Sequence, residues 1–117
     1  MLLNDDQMVL GFRSPENVDE NMLKELQKFF RNRKCAYYAK LILLTIYNKE
    51  TLEPLEPEHY CVILSPTPKF SLDKDNFKIF SIMKPYLPDD GFVDFSVLGY
   101  FCTMQIYDEG KGLIIYE

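Results

Sequence analysis

Apolar side chains recur along this chain with two different periods, and the switches between them predict the order of its elements. Met22, Leu23, Leu26, Phe29 and Phe30 make one helical stripe, whereas Lys24, Glu25, Gln27, Lys28 and Arg31 lie off it. A helix over residues 18–32 is predicted, with Asn17 as N-cap and Glu20 returning a bond to it in a capping-box arrangement. The basic stretch Arg31-Asn32-Arg33-Lys34 suits the negative pole of that helix. A second helical spacing, Phe77, Ile79, Phe80, Ile82, Met83, Tyr86 and Leu87, predicts a helix over 74–87 that Pro85 kinks or ends.

Extended segments separate these helices. Residues 7–12 form a short apolar run before Ser14-Pro15 and predict a first strand. From Cys35 to Asn48 nearly every position is apolar or aromatic, which predicts a buried strand over 36–47. The stretch Asn48-Lys49-Glu50-Thr51-Leu52-Glu53 and the prolines after it predict a loop, and His59 to Leu64 a short strand over 59–65 that pairs antiparallel with its predecessor. Val93, Phe95 and Val97 alternate with Asp94 and Ser96, predicting a strand over 92–98 with one buried face. Residues 113–116 read as a terminal strand, and Tyr100 to Tyr107 stay open between helix and strand. The expectation is one α+β domain over 1–117. Two helices pack on one face of a mainly antiparallel sheet, in the β-α-β-β-α-β order of a ferredoxin-like split βαβ with an extra C-terminal strand. The spatial order of the strands is left open at this point.

A chain of 117 residues with 47% apolar and 26% charged positions has material for one core. Thirteen Lys and Arg against eighteen Asp and Glu give a formal charge of -5, the wrong sign for neutralising many phosphates, so nucleic-acid binding is not expected. Acidic residues near the N-terminus argue against an export signal, and the apolar run Leu41 to Ile46 is far short of a membrane span. Cys35, Cys61 and Cys102 are scattered, as buried thiols of a cytoplasmic protein would be.

Candidate chemistry is thin. His59 is the single imidazole, and Cys61, two residues on, shares its side of a strand, which gives an enzyme using both as the minor alternative. Asp73, Asp75, Asp89, Asp90 and Asp94 fall where turns and helix starts favour Asp, and no phosphate-binding glycine motif is present. Catalytic residues, metal ligands and cofactors are therefore all expected to be none. Arg31, Arg33 and Lys34 stand as a cationic contact cluster, and the 15% aromatic content points to Tyr37, Tyr38 and Tyr60 as partner-contact residues.

Several stretches together resemble the C-terminal domain of the bacterial enhanced serine sensitivity protein (SseB) family. Val9-Leu10-Gly11-Phe12 with Pro15 and the Leu23-Lys24-Glu25-Leu26 helix is similar to that family's opening strand, turn and helix. Cys35 to Ala39, Glu56 to Leu64, and the run from Ile82 to Phe95 are similar to its later strands and second helix, whereas residues 112–116 depart from its ending. These are packing and turn residues, so the resemblance implies a fold and carries no catalytic residue. The functional expectation is a non-enzymatic binding or regulatory module acting through protein–protein contact. An immunity protein neutralising a bacterial toxin is the alternative. Self-association as a homodimer is expected if the sheet face away from the helices is left uncovered.

Overall fold

The computed structural model describes residues 8–97 and 112–117. Its elements are β1 (Met8–Arg13), α1 (Glu20–Arg33), β2 (Ala36–Asn48), β3 (Pro54–Pro66), α2 (Leu72–Met83) with a 3-10 turn (Lys84–Tyr86), β4 (Val93–Val97) and β5 (Leu113–Tyr116). The predicted periods thus became the predicted kinds of element. The local chemistry moved their ends. Asp19, not Asn17, caps α1: its Oδ1 accepts the backbone N–H groups of Asn21 at 2.8 Å and Met22 at 3.3 Å. Asn17 instead takes a left-handed turn conformation at φ 56°, one that Asn tolerates better than most residues. Pro85 lies in the 3-10 turn and so marks the end of α2 as expected.

β2 and β3, 13 residues each, form a long antiparallel hairpin at the centre of a sheet that has five strands among the described residues. Of the segment read as a proline-bearing loop, 49–53 turns the chain as expected, but Pro54 to Glu58 is the first part of β3. Its register slips between Leu44↔His59 and Ile46↔Glu56, so an extra residue bulges out beside Pro57. A bulge is where a strand needs no ladder N–H, which is why a proline fits there. Strand order is sequential, β1-β2-β3-β4, with β4 parallel to β3 and the other pairs antiparallel. A split βαβ would interleave its strands, so the expected element succession is present but that topology is not. The length of β2 explains the remaining strand. Its far half (43–48) pairs with β1 and its near half (39–41) with β5, both along one edge. Gly112 enters β5 at φ 109°, with its backbone against Lys40 and Ile42 and its N–H donated to Ser14 Oγ at 2.7 Å.

Both helices cover one face, as predicted. Met22, Leu26 and Phe30 of α1 and Ile79 and Met83 of α2 meet Ala39, Leu41, Val62, Leu64 and Ile115 in the main core. The Arg33 guanidinium ties the helices at one end by donating to the buried Asp75 carboxylate, Nε to Oδ1 at 2.8 Å. Asp75 also accepts the Ser71 N–H at 2.7 Å. The opposite face is not open at its centre, because Ile42, Leu44, Cys61 and Ile63 are buried there with Phe12 and Ile46 packed against them. The motive for a homodimer through a bare sheet face is absent among the described residues. Tyr100 to Tyr107, left open between helix and strand, lie outside them, as does Cys102.

Candidate functional site

The candidate site stands at the bulged end of the hairpin, where β3 meets the start of β4. Strand pleating places His59 on the face opposite the helices with Cys61, and the parallel register sets Asp94 beside Cys61 on that same face. The bulge then reverses the alternation of β3, so Glu56 joins His59 instead of pointing away. As a result one donor atom each of Glu56, His59 and Asp94 lies within 4.8 Å of the others.

His59 is 7% exposed, and both its ring nitrogens have partners. Nδ1 is 2.7 Å from the Pro57 carbonyl oxygen, and Nε2 is 2.6 Å from Asp94 Oδ2. A carbonyl oxygen can only accept, so Nδ1 carries a proton and donates it. Nε2 then faces a carboxylate oxygen. A contact this short between a ring nitrogen and a carboxylate oxygen is a hydrogen bond, with one proton between the two atoms. The Phe92 ring lies over the imidazole, with centroids 4.2 Å apart and planes at 35°. Beside it opens a cavity of about 420 Å³ lined by His59, Tyr60, Tyr86, Leu87, Pro88 and Phe92, among others. Burial pushes the Tyr60 hydroxyl above its usual range. Next along the bulge Glu58 is held by Arg13 of β1 in a two-pronged ion pair, 2.9 Å and 2.7 Å, which keeps its carboxyl below the ordinary carboxylate range.

The residues singled out from sequence are not gathered into one patch. Arg33 is occupied by Asp75 and the Lys69 carbonyl. Lys34 serves as the left-handed C-cap of α1 at φ 54°, and Arg31 is exposed. Tyr37 is 65% exposed at the near end of β2, Tyr38 is half-buried, and Tyr60 lies well along the ladder, paired with Leu43 where Tyr38 pairs with Ser65. His59 and Cys61 do share a face, but the nitrogens of His59 are directed at Pro57 and Asp94. Sequence reasoning missed Glu56, and it set Asp94 aside among the acids of turns and helix starts. The alternation around Asp94 was the available signal, since it put that carboxylate on the side away from Val93 and Phe95. The Glu56 signal was masked by the bulge. No model of a known protein family matches the chain, and a search of curated proteins finds no relative either.

Proposed function

We propose that this chain is a non-enzymatic binding module, of the kind the SseB C-terminal resemblance implies, that acts through protein–protein contact. The observation that carries this reading is the outer side of the helix layer. Phe77 is 68% exposed on α2. In the same helix layer a groove between α1 and α2 is lined by Lys28, Phe29, Asn32, Lys78, Ile82 and Pro85, among others. An aromatic floor with a polar rim is how protein contact surfaces are composed. The setting of His59 favours binding over catalysis, because a general base needs a ring nitrogen turned to its substrate, and here one faces a backbone carbonyl and the other a carboxylate. The test is affinity capture with the wild-type chain and a Phe77→Asp, Lys78→Glu double variant, each checked for fold by circular dichroism. The reading expects a defined set of proteins held by the wild type and lost by the variant. Equal retention by both overturns it.

A further inference from the structure

The geometry points to a divalent metal site formed by Glu56, His59 and Asp94, taking a transition cation such as Zn²⁺. Three features converge. Imidazole and two carboxylates on one face supply three donors within 4.8 Å of one another, a set that suits a borderline cation. The Nδ1–H of His59 is held by the Pro57 carbonyl at 2.7 Å, and that outward bond to a backbone carbonyl is what orients a metal-ligating histidine and leaves Nε2 as the donor. Nε2 and Asp94 Oδ2 are only 2.6 Å apart, so two of the donor atoms already face each other.

A proton alone would satisfy that pair, but it gives no role to the Glu56 carboxylate brought alongside by the bulge. A dication uses all three, and the two carboxylates balance its charge. Ligand bonds of about 2.0–2.2 Å at a tetrahedral angle set neighbouring donors roughly 3.3 Å apart. The His59–Asp94 pair therefore has to open by less than 1 Å, roughly, to admit the ion. Asp94 has room to do so, since 44% of its side chain is exposed. With three protein ligands a fourth position remains for water or for a donor group of a bound partner. This inference stands on the hairpin end alone and does not rest on the helix-layer groove.

The experiment is calorimetric titration of the metal-stripped, reduced chain with ZnCl₂, repeated for Glu56→Gln, Asp94→Asn and Cys61→Ser, each with an amide spectrum as a fold check. Expected is saturable binding of one ion per chain, weakened about tenfold or more by each carboxamide variant and unchanged in Cys61→Ser. Both carboxylates are only partly buried, so their near-isosteric amides should fold. Absence of one-to-one binding up to about 100 µM zinc overturns the proposal. So does either carboxamide variant binding as tightly as the wild type, or loss of binding in Cys61→Ser.

Discussion

The two faces of the sheet are both buried at their centres, yet they are built differently. On the helix side Leu41, Val62 and Leu64 meet Leu26, Phe30 and Ile79 in a wholly apolar layer. On the other side the apolar strip of Ile42, Leu44, Cys61 and Ile63 is flanked by buried Lys40 and His59. Apolar packing has no direction and tolerates any polar-free surface, so the first face sets the fold. Burying an imidazole requires particular hydrogen-bond partners at particular atoms, so the second face is where the structure holds a specific arrangement in place.

That contrast can be broken by mutation. Phe30→Ala on the helix face should cost about 4 kcal/mol in denaturant unfolding, and it should also loosen β5, whose Tyr116 ring stacks on Phe30 with centroids 6.1 Å apart. Ile63→Ala on the other face should cost somewhat less, about 3 kcal/mol. A larger loss from Ile63 than from Phe30 would reverse the assignment of which face sets the fold.

Arg33→Ala strands the Asp75 carboxylate, which sits 2% exposed at the helix ends. Its melting temperature should fall clearly, and the Arg33→Ala, Asp75→Asn double variant should recover part of the loss. Full additivity of the two changes would show that the pair is not coupled. Asp94→Asn should cost about 1 kcal/mol or less, because its side chain is 44% exposed. A loss as large as that of Ile63→Ala would make the His59–Asp94 contact a structural tie instead of a binding site.

The helix face also governs a thiol. Burial, chiefly, with the Asp75 charge adding to it and Arg33 opposing, pushes Cys35 up to about 11 from its ordinary 9.0. The folded chain therefore holds that proton more tightly than the unfolded chain. This contribution to stability is intact below pH 9.0 and is lost as pH rises toward about 11. Alkylation of Cys35 should accordingly be slow at neutral pH and accelerate only in strong alkali. Rapid labelling at neutral pH would contradict the burial described here.

Much of the fold was legible because periodicity reports which side of an element is buried. The stripe of Met22, Leu26 and Phe30 and the alternation of Val93 and Phe95 identified the residues that the helix-side core gathers. Strand order was not legible. The strand over 36–47 was read at nearly its full length, but nothing local in the sequence shows that one of its edges carries both β1 and β5, and the interleaving of a split βαβ is absent. The candidate site was half legible. His59 drew notice as the one imidazole, but its partners come from a strand 35 residues away and from a bulge that inverts the alternation. Arg33 looked like a free surface cation because Asp75, its buried partner, lies 42 residues further on.

Because the chain has a single histidine, one nitrogen-15 spectrum of its imidazole tests the central claim without ambiguity. The account predicts that Nδ1 bears a proton held by the Pro57 carbonyl both before and after zinc is added, and that zinc shifts Nε2 at lower concentration in the wild-type chain than in Asp94→Asn. An unprotonated Nδ1, or a ring whose two nitrogens ignore zinc, would contradict it.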